Sequence, residues 1–385
     1  MANPHEVDLV AVLLPPSDAV PVVLAAWERN DAVVVLDPAA PPAWVDARLA
    51  AVRPTALVDG SGSRTLPDGV PVARGVAAVG LTSGTTAEPK AVELTFAGLA
   101  ASAAGVGAVL GDDARGPWLA CLPLHYVAGL AVVGRAWTSG AELIVHDGFD
   151  LPALAHAIEV GGGRAVSLVP TQLRRLLDAG VAVDRLDVIL LGGGPVPADL
   201  AALPNVHTTY GMTETWGGVV HDHYPLPGVE LRVDADGTVL VRTPTIMRGY
   251  RFDADATTRA FGPDSWFRTG DTGALDGDGR LTVLGRRDEM IISGGVNISP
   301  FEVEDALRSH PDVLDVIVTG APDADLGAHV VAYVVPRDPV SPPTLDALRD
   351  HGAATLNRMK LPRELVLRDS IPRTPSGKPQ RRLLG

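Results

Sequence analysis

The chain has 385 residues, with 32 Lys and Arg against 46 Asp and Glu, giving a formal net charge of −14. That length accommodates two or three domains, and the acidic balance excludes a bulk electrostatic grip on nucleic acid or anionic lipid. The single cysteine, Cys121, excludes an internal disulfide and any multi-cysteine zinc site. The first residues, MANPHEVDLVAVLLPP, carry no basic leader region, and their apolar run stops at Pro15. The later run ASAAGVGAVL is too short to span a bilayer. A cytoplasmic protein with no membrane span is the expectation, and the sequence leaves a homodimer open.

Over the first two-thirds of the chain, short apolar runs alternate with helical stretches. AVVVLDP (32–38), AELIVHD (141–147), AVSLVP (165–170) and DVILLGGG (187–194) read as buried strands, with 151–160 and 171–179 as intervening helices. Such alternation predicts an α/β fold with mostly parallel sheets. From 229 to 284 the pattern changes to period-2 alternation around Asp-Gly turns, which predicts a small antiparallel β subdomain. Near residue 288 it changes again. Ser299, Pro300 and Glu302 form a helix-start signature, and the helix ends before Pro311. The strands VLDVIVTG and AHVVAYVVP follow, then the basic turn-rich tail IPRTPSGKPQRRLLG. The expected division is a large domain over 1–287 and a small α+β domain over 288–385.

The strongest local signal is LTSGTTAEPK (81–90), whose hydroxyls and backbone N–H groups can surround phosphate oxygens while Lys90 adds charge. It lacks the Gly-Lys-Ser/Thr of a P-loop, which disfavours a kinase of that type. Downstream come YGMTET (210–215), WFRTGD (266–271), GRRDEMIISGGVNISP (285–300) and PRTPSGK (372–378). In this order the five motifs resemble the adenylate-forming superfamily of acyl- and aryl-CoA ligases, luciferases and peptide-synthetase adenylation domains. The resemblance runs from about residue 78 to the end.

The resemblance implies a two-step ligase using ATP, Mg²⁺ and CoA. A carboxylate attacks the α-phosphate to give an acyl-adenylate, and a thiol then displaces AMP. It implies that Ser83, Thr85, Thr86 and Lys90 cradle the β- and γ-phosphates. Thr213 contacts the α-phosphate or acyl group, and Glu214 holds Mg²⁺. Tyr210, Gly211 and Met212 share the nucleotide-binding YGMTET motif, and Asp271 accepts the ribose hydroxyls with Arg286 nearby. Gly192, Gly193, Gly194 and Pro195 sit where the family binds adenine and acyl group against backbone, although a plain strand-to-helix turn explains them equally. Lys378, followed by Gln380, Arg381 and Arg382, matches the adenylation lysine. Asp288 matches a hinge about which a mobile C-terminal domain turns, and Gly294 and Gly295 a CoA channel.

PLHYVAGL (123–130) matches the family's acyl-pocket motif with a departure: His125-Tyr126 stands where an aromatic or histidine is often followed by His. Arg135 lies in the apolar stretch GLAVVGRAW, where a buried guanidinium needs a counter-charge. That partner is either an internal Asp or Glu or a second carboxylate on the substrate. PLHYVAGL with Arg135, VPTQL (169–173), LLGGGPVP and GGVNISPFEVE is most similar to bacterial o-succinylbenzoate–CoA ligases of menaquinone biosynthesis. The implied substrate is an aromatic dicarboxylic acid, with Arg135, His125, Tyr126, Thr171 and Gly192 in its pocket; Gln172 faces the same pocket, and a capped helix start is the other reading of Thr171. Another aryl- or acyl-CoA ligase, or a stand-alone adenylation enzyme loading a carrier protein, stays open.

Overall fold

The computed structural model describes residues 5–82, 90–262, 264–373 and 379–384. Ser83, Thr85, Thr86 and Lys378 therefore lie outside the described residues. The chain forms two compact units, residues 1–231 with 241–267, and residues 232–240 with 268–385. Among the described residues no helix is long and apolar enough to cross a membrane.

The first unit holds two seven-stranded sheets. In one, Ala32–Val35, Leu9–Leu13 and Ala56–Asp59 run parallel with Val76–Leu81, and Ala91–Thr95 and Gly249–Tyr250 continue the sheet antiparallel. In the other, Leu143–Val145, Trp118–Ala120, Ala165–Leu168, Val188–Leu191 and Val206–Met212 are parallel neighbours, and Gly217–His221 is antiparallel to the last. All four strands expected from their apolar runs are present at these positions. Ala32–Val35, Ala165–Leu168 and Val188–Leu191 are buried throughout, as strands covered on both faces must be, whereas Leu143–Val145 at the sheet edge is half-buried.

Helix starts follow from their caps. Thr95 Oγ1 accepts from Gly98 N at 3.0 Å ahead of helix Phe96–Leu110, and Asp150 Oδ1 accepts from Ala153 N at 2.8 Å ahead of Leu151–Glu159. Helix Val127–Ser139 packs so closely on Phe96–Leu110 that a Cβ at Gly134 would lie 2.3 Å from Leu99 Cδ1. Trp27, Phe96 and Trp137 form an aromatic cluster, and the Trp27 indole donates to Ala77 O at 2.9 Å.

In the second unit, Phe267–Leu275 pairs antiparallel with Leu281–Arg286 around the expected Asp-Gly turn. Ser299 caps helix Pro300–Arg308, its Oγ accepting from Glu302 N, and that hydroxyl also donates to Leu284 O. Strands Val313–Asp323 and Gly327–Pro336 form a long antiparallel pair, with Glu364–Leu367 added parallel.

The compact units divide differently from the expected boundary at 287/288. The hairpin made by Phe267–Leu275 and Leu281–Arg286 belongs largely with the C-terminal residues, because Ser299 bonds Leu284 and Phe301 lies against Gly285, where a Cβ would sit 2.8 Å from its ring. The expected β subdomain over 229–284 is also interrupted. Residues 241–267 stay with the first unit, since Gly249 and Tyr250 pair with Glu93 and Val92. Period-2 alternation identified strands there but not which sheet each one joins.

Candidate active site

In the first unit, the strands on either side of the expected phosphate-binding residues are neighbours in one sheet. Strands Val76–Leu81 and Ala91–Thr95 pair antiparallel, and Thr82 N donates to Lys90 O at 3.0 Å at the end of the pair. The YGMTET segment meets this end directly. A Cβ at Gly80 would lie 2.6 Å from Thr213 Cγ2, so glycine there lets Thr213 sit against strand Val76–Leu81.

Tyr210, Gly211 and Met212 end strand Val206–Met212 at a register irregularity between Tyr210 and Gly211. Glycine is required at 211: a Cβ would fall 1.8 Å from Gly217 O on the neighbouring strand. Thr215 locks the turn, accepting from Met212 N at 3.1 Å and donating to Gly217 O at 2.8 Å. Met247 N donates to Glu214 O at 2.7 Å, and the Tyr250 hydroxyl donates to Glu214 Oε1 at 2.9 Å. Lys90 Nζ lies 4.6 Å from the centre of the Tyr250 ring. Tyr250 thus links the lysine of one motif to the carboxylate of another. No feature of its local sequence, MRGYRF, marks it for this role; strand pairing with Val92 puts it there.

Among the described residues no group of three or more His, Cys, Asp or Glu could hold a metal ion. Glu214 nonetheless fits Mg²⁺, which is commonly held by one or two carboxylates plus substrate phosphates rather than by an all-protein cage.

The residues expected at the acyl group lie around helix Val127–Ser139 and the strands it packs on. Gly129 permits the approach, since a Cβ there would be 2.4 Å from Pro123 O; this explains part of the PLHYVAGL spacing as packing. The His125 and Tyr126 rings are 4.3 Å apart, and burial lowers the His125 pKa against the opposing pull of Asp37. Gly192 is buried, and a Cβ on it would sit 2.2 Å from Thr209 Oγ1. Gly193 has φ +81°, and Gly193, Gly194 and Pro195 are exposed. Thr171 is half-buried in the first turn of helix Pro170–Asp178. It is not the cap: Val169 precedes the helix, and Gln172 Oε1 accepts from Val169 N at 3.0 Å.

Among the described residues Arg135 has no carboxylate partner. Its Nη2 donates to Ser167 Oγ at 3.0 Å, its guanidinium lies 4.8 Å from the centre of the Trp118 ring, and its Nε is enclosed with no hydrogen-bond partner among the described residues. Burial alone lowers its pKa to about 10, so it remains cationic at neutral pH. Sequence reasoning found Arg135 but neither Ser167 nor the neighbouring His221, because each comes from a different strand of the sheet.

In the second unit, RTGD and GRRD are brought together by backbone register. Asp271 and Arg286 are directly opposed across the antiparallel pair, and Arg286 Nη1 donates to Asp271 Oδ1 at 3.3 Å and to Thr269 O at 3.2 Å. Burial pulls the Arg286 pKa down, but Asp271 and Asp288 outweigh it and raise it. Asp288 lies in the turn Arg287–Glu289, 3.6 Å from Arg286 Nε. Gly294 and Gly295, at φ +56° and +79°, make the two-residue turn between Ile291–Ser293 and Val296–Ile298. On both sides of residues 374–378 the tail is anchored: Arg373 Nη2 contacts Asp315 Oδ2 at 2.7 Å, and Arg381 Nη2 contacts the buried Glu304 at 2.7 Å.

The fold and these motifs define an AMP-forming ligase. Residues 63–251 match the AMP-binding enzyme family and 302–378 the AMP-binding enzyme C-terminal domain, and the chain belongs to this family. Its similarity narrows further. The protein named "Probable 2-succinylbenzoate--CoA ligase" in Mycobacterium tuberculosis is 45% identical over 324 residues, covering 80% of this chain and 84% of that one. The 2-succinylbenzoate–CoA ligase of Bacillus subtilis is 34% identical over 77% of this chain and 66% of its own length. Among solved structures, the B. subtilis o-succinylbenzoate CoA synthetase in complex with the acyl-adenylate OSB-AMP has TM-score 0.85 at 29% identity, covering 99% of this chain and 88% of that one. The same synthetase with ATP and magnesium ion gives TM-score 0.85 at 29% identity, with 99% and 90% covered.

Proposed function

We propose that this protein adenylates 2-succinylbenzoate with ATP and transfers the acyl group to CoA, releasing pyrophosphate and then AMP, as a cytoplasmic step of menaquinone biosynthesis. The observation that carries the substrate is Arg135. A cationic guanidinium without a carboxylate partner among the described residues is costly in a protein interior. An acid with a second, non-reacting carboxylate supplies the missing charge, and 2-succinylbenzoate has two carboxylates.

In the first step one substrate carboxylate oxygen attacks the α-phosphorus, and pyrophosphate leaves with the P–O bonding electrons. The two reactants are both anionic, so the residues act chiefly by placing positive charge and donors where negative charge gathers. Lys90, with Ser83, Thr85 and Thr86, is assigned to the β- and γ-phosphates, and Thr213 to the α-phosphate. Glu214, held by Tyr250, is the carboxylate that would hold Mg²⁺. The bound ion supplies charge neutralisation on the triphosphate. Asp271 accepts from the ribose hydroxyls, with Arg286 fixing its orientation. Lys378 bridges the acyl carboxylate and α-phosphate in this step.

In the second step the CoA sulfur attacks the acyl carbonyl carbon and AMP departs as the leaving group. Gly294 and Gly295 are assigned to the CoA channel and Asp288 to the hinge between steps. The test is CoA-dependent AMP release with 2-succinylbenzoate against benzoate. The reading expects turnover with the first and at most trace turnover with the second. Equal turnover of both, or none with 2-succinylbenzoate, contradicts it.

A further inference from the structure

The face that carries Arg135 holds a second group that the proposed chemistry leaves unused. His221 ends strand Gly217–His221 and is only 3% exposed. Among the described residues its Nδ1 is enclosed with no hydrogen-bond partner. Most buried polar side chains find a partner, so one that does not calls for an explanation.

Strand register places His221 beside the acyl side. Thr209 is its direct cross-strand neighbour, and Thr209 is also the residue against which Gly192 packs. A Cβ at Gly218 would meet His221 Nε2 at 3.0 Å and Thr209 Cβ at 3.4 Å. Glycines at 192 and 218 thus keep side chains off Thr209 and the Nε2 edge of His221. Along the parallel strands, Ser167, Leu190 and His207 are in register, so their side chains share one face, and Thr209, two residues beyond His207, lies on it too. Ser167 on that face receives Arg135.

The tautomer follows from the enclosure. A buried N–H without an acceptor wastes a strong donor, whereas a bare ring nitrogen loses less, so Nδ1 is unprotonated and Nε2 carries the hydrogen. Burial first, then the nearby Arg135 charge, hold the ring neutral, with its pKa down to about 4; Asp222 opposes this shift and His207 adds to it. Asp222 is already engaged, with its Oδ2 2.7 Å from His207 Nδ1 and its Oδ1 accepting from Thr208 N.

We propose that His221 is a specificity-determining residue: its Nε2–H donates to the non-reacting carboxylate of the acyl substrate, which Arg135 neutralises. This rests on the dicarboxylate reading above and adds to it a neutral, directional donor. Arg135 supplies charge that any nearby anion satisfies. A donor at fixed geometry selects where that anion lies, and a site built to hydrogen-bond a group rejects substrates that lack it.

The test compares 2-succinylbenzoate with 4-oxo-4-phenylbutanoate, the same skeleton without the ring carboxylate, by AMP release in wild type, His221→Leu and His221→Gln. Gln places an amide N–H near the Nε2 position. For 2-succinylbenzoate, His221→Leu lowers kcat/KM about 10- to 100-fold, mostly through KM, and His221→Gln recovers most of it. Activity with 4-oxo-4-phenylbutanoate stays within about threefold of wild type in both variants, and this also reports that they fold. Three outcomes overturn the proposal: equal loss with both substrates, no loss in His221→Leu, or no recovery in His221→Gln. A wild type that activates 2-succinylbenzoate while its variants behave in any of these ways defeats the role of His221 and leaves the functional reading standing. A wild type that does not activate 2-succinylbenzoate defeats both.

Discussion

The Asp271–Arg286 pair and the Arg135–Ser167–His221 group are built in opposite ways. Asp271 and Arg286 are 15 residues apart on one hairpin, and antiparallel register alone sets them face to face. Arg135 comes from a helix, Ser167 from a central parallel strand and His221 from an antiparallel strand, so only the assembled sheet brings them to one face. Short-range pairing makes a motif that survives as a readable string. A group gathered from a helix and several strands leaves no such string.

This contrast predicts separable losses. Gly211→Ala strikes the turn that carries Thr213 and Glu214, because the new Cβ would fall 1.8 Å from Gly217 O. Displacing these groups by even an ångström costs on the order of 10²-fold in rate. Pyrophosphate exchange should fall by at least that factor with every acid tested. A loss confined to one acid would break the distinction drawn between the two regions.

Asp271→Asn acts on the hairpin alone. It weakens acceptance from a ribose diol while leaving the backbone ladder in place, so KM for ATP should rise about 10-fold or more. The preference between 2-succinylbenzoate and 4-oxo-4-phenylbutanoate should not move. If acid selectivity shifts with it, the two regions are coupled.

The smallest expected effect is on stability in acid. His221 has an ordinary pKa of 6.5 and is held down to about 4 in the folded chain, mainly by burial. Between those values the unfolded chain binds the extra proton. The His221 contribution is therefore fully present above about pH 6.5 and is lost as pH falls toward 4. Thermal unfolding followed from pH 7 to 4 should show a shallower acid decline for His221→Gln than for wild type. Parallel curves would show that the ring is not held neutral by this environment.

Much of the fold was legible because its signals are local. AVVVLDP, AVSLVP and DVILL are continuous apolar runs, and Ser299-Pro300 announces a helix that begins where expected. Partnership between strands was not legible. Gly249 and Tyr250 read as part of a hairpin region, yet they pair with Glu93 and Val92, and this pairing sets Tyr250 on Glu214. The same limit explains the pocket. Arg135 was conspicuous because a charge in an apolar helix needs a partner, whereas Ser167 in AVSLVP and His221 in GGVVH look like ordinary strand residues. Gly80 and Gly192 likewise reveal their purpose only when the neighbouring Thr213 and Thr209 are in place.

Under the proposed function, Arg135, which has no carboxylate partner among the described residues, selects a dicarboxylate. This is tested most directly by kcat/KM for AMP release with 2-succinylbenzoate and with 4-oxo-4-phenylbutanoate, in wild type and Arg135→Leu. Wild type should favour the dicarboxylate by on the order of 10²-fold, and Arg135→Leu should erase that preference while leaving KM for ATP unchanged. An undiminished preference in Arg135→Leu would contradict the account.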